Sequence, residues 1–448
     1  MSIRSVLVQL LLVIAFVGNA LAISATGSRL LVVLDPSLKD EDYSLFFSDL
    51  DSRGLDLTIK AANDPSLGLF EYGERIYDHL ILTLPPTQKA LGPNLLAKPL
   101  LDFSAAGGNI VVVLNANEHA LASVREFANQ LDVFLPFRDT KLVDHFSYDK
   151  EASPLLHDAL VLSPNSLLAP EIVSPTADDA SKLLYYPGGS AFSLGNNQLL
   201  VPVLAAPETA YIYDPAEEAT KSETPFATGS QAFLVASLQT RKNTRVTFVA
   251  SNLLFTNDAF TKPDSFNRAF AAQLSAWTFA EKSVLRLESV THRLVNSSEL
   301  NPSIYRVKNE IEYEVELSRF TDGKWAPFYA SDVQLEFTML DPYYRLTLIP
   351  SSSSPSAQTY TTSFIAPDQH GMFSFVLNYK RPGLSFVEDK RVVTLRHFGH
   401  NEFARSFEIP NAWPYATSIF VVVAAWLLFV ALWMFSANSE SPSVKKTQ

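Results

Sequence analysis

Few residues in this 448-residue chain have the types and spacing that chemistry requires. Asp144 and His145 are adjacent, as a hydrolase carboxylate–imidazole pair would be. No Gly-x-Ser-x-Gly turn accompanies them to present a nucleophile, so general-base chemistry is not expected there. His397 and His400 in "HFGH" lie three apart with Glu402 nearby, a spacing that shares one face of a helix and not of a strand; we read a surface cluster rather than a metal site. Carboxylates are plentiful, but spacing alone does not single out a glycosidase pair. Cysteine is absent, which removes disulfides, thiolate nucleophiles and cysteine metal sites. No catalytic, cofactor-binding or metal-binding residue is therefore expected. What remains are two signals read by other proteins. Asn296-Ser297-Ser298 is a glycosylation sequon in a polar segment, whereas Asn301-Pro302-Ser303 is blocked by its proline. Lys445 and Lys446 stand fourth and third from the carboxyl terminus, and their meaning depends on which side of a membrane they occupy.

The two apolar ends of the chain address that question. Met1 to Ala22 reads as a secretory signal: Arg4 is the basic region, Val6 to Val17 is apolar apart from Gln9, and Ala20-Leu21-Ala22 is a small-x-small site with cleavage after Ala22. Ala416 to Ala437 carries no charge over 22 positions, enough helix to cross a hydrocarbon core of roughly 30 Å. Trp413, Tyr415 and Trp433 fall where amphipathic rings favour the two interfaces. With a cleaved signal and one spanning helix, the body is expected in the lumen and the tail in the cytosol. There the two lysines resemble the dilysine retrieval signal of endoplasmic reticulum membrane proteins, an address and not an anchor.

Composition narrows the class further. With 47% hydrophobic and only 18% charged residues the chain can bury substantial cores, and its formal charge of −12 argues against nucleic acid as a partner. From Ser28 the pattern is α/β: "RLLVVLD" is a buried-strand run, Tyr43, Phe46, Phe47 and Leu50 recur at helical spacing, and "LDLTIKA" alternates. Further strand and helix runs follow to about Leu135, predicting a mostly parallel Rossmann/flavodoxin-like sheet with helices on both faces. The loop after the first strand, "DPSLKDED", lacks the Gly-x-Gly-x-x-Gly turn of a dinucleotide site. Gly107-Gly108 precede a strand and are read as a helix terminator. An amidotransferase would need a cysteine nucleophile. After Ser283 the period changes to two, in "EIEYEVELSRF", "DVQLEFTML" and "GMFSFVLNYKRPG", predicting a membrane-proximal antiparallel β-sandwich. "SSSSPSA" (Ser351 to Ala357) reads as a flexible loop. The expected organisation is thus a signal peptide (1–22), a lumenal α/β domain with an insertion (23–282), a β-sandwich (283–412), a transmembrane helix (413–437) and a cytosolic tail (438–448).

Longer motifs carry a resemblance that composition could not. "DGKWAPFYASDVQLEFTMLDPYYRLTL" (Asp322 to Leu348), "SLQTRKNTRVTFVASNLLFTNDAF" (Ser237 to Phe260) and "NAWPYATSIF" at the entry to the apolar helix resemble the oligosaccharyltransferase 48 kDa subunit family. The similarity runs from the first strand to the dilysine tail, strongest after Ser237 and weaker between about Val143 and Pro225. It implies an accessory, non-catalytic subunit of the complex that transfers a preassembled glycan from dolichyl diphosphate to Asn in Asn-x-Ser/Thr sequons. Partners implied are a multispanning catalytic subunit, a ribophorin II type subunit, a defender-against-death type subunit, the endoplasmic reticulum membrane and the dolichyl-linked donor, without nucleic acid. Ala424, Ala425 and Ala431 are expected as close-contact positions for other subunits' helices. The absence of cysteine means that no thiol of this chain lines a donor site. A lumenal glycan-processing hydrolase and a cargo receptor remain the rival classes.

Overall fold

The computed structural model describes residues 24–83, 92–116, 120–136, 140–179, 181–213, 225–321, 323–403 and 411–436. The chain divides into two compact units, Met1–Leu395 and Arg396–Gln448.

The first unit begins with an alternation of strands and helices. In chain order these are β1 (Arg29–Leu34), α1 (Ser44–Ser52), β2 (Asp56–Ala61), β3 (His79–Thr83), α2 (Ala97–Ala105), β4 (Asn109–Val113), α3 (Ala122–Gln130), β5 (Leu200–Ala205), β6 (Phe233–Gln239), β7 (Arg245–Val249) and α4 (Asn267–Thr278). They build one seven-stranded sheet in the order β5-β6-β7-β4-β3-β1-β2. β2, β1, β3, β4 and β7 run parallel, and β6 and β5 add antiparallel to one side. The central runs are apolar throughout because both faces are covered. Leu30 and Val32 pack with Phe46 and Leu50 of α1 and with α4 on one face, while Leu31 and Val33 pack with Leu100 and Phe103 of α2 and Phe127 of α3 on the other. The expected mostly parallel core is present. The helix stop at Gly107-Gly108 is also as read: Gly107 has φ +102°, and the Gly108 N–H donates to Phe103 O at 2.9 Å. Between α3 and β6 the chain adds short antiparallel pairs, such as Lys141–Val143 with Tyr211–Tyr213.

The second half of this unit is antiparallel. It comprises β8 (Val284–Leu294), β9 (Ile304–Arg306), β10 (Glu310–Thr321), β11 (Lys324–Pro327), β12 (Gln334–Thr338), β13 (Pro342–Thr347), β14 (Ile349–Ser353), β15 (Gln358–Ile365), β16 (Gly371–Tyr379) and β17 (Val387–Arg396). One sheet has the order β8-β10-β15-β14 with β11 beside β10, and the other β9-β17-β16-β12-β13. Strict alternation in β10 turns Ile311, Tyr313, Val315 and Leu317 inward, where they share a core with Phe337, Phe373 and Phe375 of the other sheet. Phe337 stacks on Phe373 at 4.8 Å between centroids and Tyr313 on Phe375 at 5.4 Å. Each such buried ring is worth roughly 1.5–3 kcal/mol, so this aromatic layer outweighs the exposed ion pairs around it, at about 0–1 kcal/mol apiece. The expected loop at Ser351 to Ala357 needs correcting. Ser351, Ser352 and Ser353 lie in the edge strand β14, because backbone pairing with β15 holds a serine-rich segment extended even where its side chains bury nothing.

A buried cation joins the two halves. Arg245, wholly inaccessible at the start of β7, donates to Trp277 O (2.5 Å), Lys282 O (2.9 Å), Ser283 O (2.8 Å) and Ser385 Oγ (3.2 Å). Trp277 is in the last turn of α4, so the guanidinium satisfies a carbonyl where the helix end needs positive charge. The β16–β17 loop completes the junction. Trp277 Nε1 donates to Gly383 O (2.7 Å), Gln239 Nε2 to Leu384 O (2.8 Å), and Asn243 exchanges two hydrogen bonds with the Phe386 backbone.

In the second unit, Arg396 donates to both carboxylate oxygens of Glu402, at 2.7 and 2.8 Å. The helix α5 (Trp413–Ser436) is 24 residues long and exposed along its length. Hydroxyls on it bond within the helix, Ser418 to Tyr415 O and Ser436 to Trp433 O, so these polar groups are satisfied without a partner outside it.

Candidate functional site

Asp144 and His145 do not form a dyad. Asp144 is fully buried at the end of the Lys141–Val143 strand, and its Oδ1 accepts from Phe146 N (2.9 Å) and Thr209 Oγ1 (2.8 Å), which makes it a loop brace. His145 is exposed and meets His157, Nδ1 to Nδ1 at 2.6 Å, and the Tyr211 hydroxyl at 3.1 Å from Nε2. One imidazole donates and the other accepts in that contact. His397 and His400 are exposed, and the Glu402 carboxylate is taken by Arg396 and the Gly399 N–H, as a surface cluster requires. Among the described residues no group of three His, Cys, Asp or Glu side chains could hold a metal ion.

Asn296 is exposed on the turn that leaves β8, where Ser297 N donates to Leu294 O (3.0 Å) and Glu299 N to Ser297 Oγ (3.1 Å). The cleavage site at Ala22 and the lysines Lys445 and Lys446 lie outside the described residues. Ala424, Ala425 and Ala431 sit on α5.

A concavity with polar walls lies elsewhere, over the carboxyl ends of the parallel strands. In an open α/β sheet this is where ligands gather, because adjacent connections there leave to opposite sides. β1 connects to β2 on one side and β3 to β4 on the other, so the order reverses between β1 and β3. A cleft of about 640 Å³ opens beside that point. Ser37 follows β1, Asp42 and Tyr43 lead into α1, Asn115 follows β4, and Asn252 and Asp258 follow β7. Its floor is organised by Asn252, whose Oδ1 accepts from Ala116 N (3.0 Å) and whose Nδ2 donates to the Tyr43 hydroxyl (3.1 Å). Burial raises the Tyr43 phenol above its ordinary range, keeping it neutral. Asp35, 1% exposed at the end of β1, accepts from Ser37 N through Oδ1 (3.0 Å), and its Oδ2 has no partner among the described residues. Sequence reasoning tested this loop for a glycine-rich turn and passed over its carboxylates. The available signal was "LDPSLKDED" itself, an acidic segment following a buried strand.

Among the described residues, these features define a protein of α/β-plus-β architecture with one helix long and apolar enough to cross a membrane and no cluster of side chains that could hold a metal ion. Comparison with known proteins narrows the class. The profile of the OST48 N-terminal domain matches residues 21–281, and that of the OST48 middle domain matches residues 292–437. The chain is 38% identical to the dolichyl-diphosphooligosaccharide–protein glycosyltransferase subunit wbp1 of Schizosaccharomyces pombe, over 95% of this chain and 97% of that one. It is 32% identical to the corresponding subunit WBP1 of Saccharomyces cerevisiae, over 94% of each chain. It is 33% identical to the 48 kDa subunit of the same glycosyltransferase from Danio rerio, again over 94% of each. The chain belongs to the OST48 family.

Proposed function

We propose that this chain is an accessory, non-catalytic subunit of the complex that transfers a preassembled oligosaccharide from dolichyl diphosphate to asparagine in nascent proteins. The observation that carries this reading is similarity along nearly the whole chain to subunits so named in two yeasts and a fish. It is also supported by family profiles for two OST48 domains that together cover residues 21–281 and 292–437.

In this reading the α/β half (23–282) is flavodoxin-like, in keeping with the order β2-β1-β3-β4-β7 of its parallel strands. The antiparallel half (283–412) is a β-sandwich, in keeping with its shared aromatic core. Residues 1–22 form a signal peptide cleaved after Ala22, α5 with Ala437 spans the endoplasmic reticulum membrane once, and 438–448 face the cytosol with Lys445 and Lys446 as a retrieval signal. Asn296 accepts a glycan in the lumen. The subunit's partners are the multispanning catalytic subunit, the ribophorin II type subunit and the defender-against-death type subunit, with Ala424, Ala425 and Ala431 letting their helices approach.

Affinity purification through this chain in a mild detergent, followed by mass spectrometry, tests the proposal. Stoichiometric recovery of a multispanning glycosyltransferase is expected, and depletion of the chain should leave many unrelated glycoproteins underglycosylated. Recovery of the chain alone from membranes, with glycosylation unchanged on depletion, refutes it.

A further inference from the structure

We infer that the hairpin tip at Tyr72 is a docking finger whose ring enters an apolar slot, rimmed by arginine or lysine, on the lumenal part of another subunit. The inference rests on the proposed membership of the glycosyltransferase complex, which supplies that subunit.

The finger is short and fixed at its base. Phe70–Glu71 pairs antiparallel with Glu74–Arg75, so Tyr72 and Gly73 are the whole of a two-residue turn. Beneath it Ile76 N donates to Leu69 O (3.1 Å), Leu69 is buried, and the Phe70 ring meets Phe103 of α2 edge-on at 6.3 Å between centroids. Arg75 turns back toward the body, where its Nη1 stands 4.0 Å from Asp78 Oδ1. The core of the α/β half thus holds the tip out as a rigid projection.

What it projects is unfavourable for the chain alone. Tyr72 has φ +50° and Gly73 φ +86°, the pattern of a type I′ turn, whose first position suits asparagine or glycine better than a bulky side chain. The Tyr72 ring is 99% exposed, so no packing within the chain offsets that conformation. Glu71 and Glu74 face each other across the ladder, where like charges repel. Both are exposed, and neither has a hydrogen-bond or ion-pair partner among the described residues. One kind of occupant relieves all of this. A tyrosine, rigid and amphipathic, anchors protein interfaces well when a slot removes its ring from water. Carboxylates on both sides of it select cationic groups at the rim of that slot. A lipid surface would take the ring but strip water from the carboxylates, and nucleic acid would repel them.

The purified complex provides the test. With the photoreactive residue p-benzoylphenylalanine in place of Tyr72, irradiation should join this chain to one other subunit, at a peptide containing arginine or lysine, as read by mass spectrometry. Two substitutions separate docking from folding. Tyr72→Asn keeps a residue suited to the turn, and Glu71→Lys turns the like-charge pair into an opposite-charge pair, so each should leave the thermal midpoint of the full chain in detergent unchanged or higher. With the complex immobilised through another subunit, each should shorten the half-life for loss of this chain about tenfold. A photoadduct only within this chain, with a second copy of it, or with a peptide lacking basic residues overturns the assignment. A half-life unchanged by both substitutions does so as well. The composition of the unsubstituted preparation, read by mass spectrometry, reports separately on complex membership, so the two failures are distinguishable.

Discussion

His79 shows how one buried side chain ties stability to pH. It is wholly buried at the start of β3, where Nε2 donates to Gly27 O (2.9 Å) and Nδ1 accepts from Asn109 Nδ2 (3.3 Å). Burial pushes its pKa down to about 4, and a second proton would also face the Asn109 donor. His292, stacked on Phe375 and bonded to the Tyr305 hydroxyl, is likewise pushed down to about 4, chiefly by burial. In the unfolded chain each histidine binds a proton near pH 6.5, so the unfolded state takes up protons first as pH falls. Stability is therefore full above about pH 7 and declines between pH 6.5 and 4, by about 3 kcal/mol for His79. Asp49, Asp78 and Asp149, whose pKa values lie below the ordinary carboxylate value, add losses only at still lower pH. Denaturant unfolding of the full chain in detergent at pH 7.5 and pH 4.5 should show this fall, and His79→Gln should make it shallower. A slope unchanged by the substitution contradicts the assignment.

At the scale of elements the decisive piece is the β16–β17 loop, which holds the antiparallel half against α4. Gly383 in it has φ +82°, and a Cβ built there would stand 2.8 Å from the Glu171 Cβ. Only glycine allows both the turn and the approach that delivers Gly383 O to Trp277 Nε1. Gly383→Ala should cost about 1–3 kcal/mol in backbone strain and displaced contacts. The expected result is a lower denaturation midpoint followed by tryptophan fluorescence, with faster protease cleavage near the loop. An unchanged midpoint means the loop is not a structural clasp. Arg245 acts on the other side of the same junction. Burial lowers its pKa to about 9, which still leaves it charged near neutrality, with its charge 4.5 Å from the centre of the Trp277 ring and shared among backbone carbonyls.

At the scale of the whole molecule the question is what a body and one apolar helix do in a cell. If the helix places the body in the lumen, a tail ending in Lys445 and Lys446 is available to a cytosolic coat. A reporter carrying α5 and the tail should stay in the endoplasmic reticulum, and replacing both lysines with serine should release it to the cell surface. Continued retention of the serine form refutes the signal.

Much of the architecture was legible because its cause is local. Short, β-branched apolar runs such as Leu30 to Leu34 suit central strands, the alternation of Glu310 to Leu317 suits a sheet with one buried face, and Ala416 to Ser436 has no polar face with which to meet water. Other features were not. β14 is serine-rich and owes its extended form to β15, while His145 is oriented by His157 and Tyr211 rather than by its neighbour Asp144. Sequence alone therefore determined the element types, the change from parallel to antiparallel sheet and the apolar helix, since those follow from the spacing of side chains along a few turns or pleats. The acidic cleft and the Arg245 junction were decided only by tertiary structure. Asp42 and Asp258 line one cleft, and Arg245 meets Ser385, across separations in which chain spacing carries no information, and only the packing of the sheet brings them together.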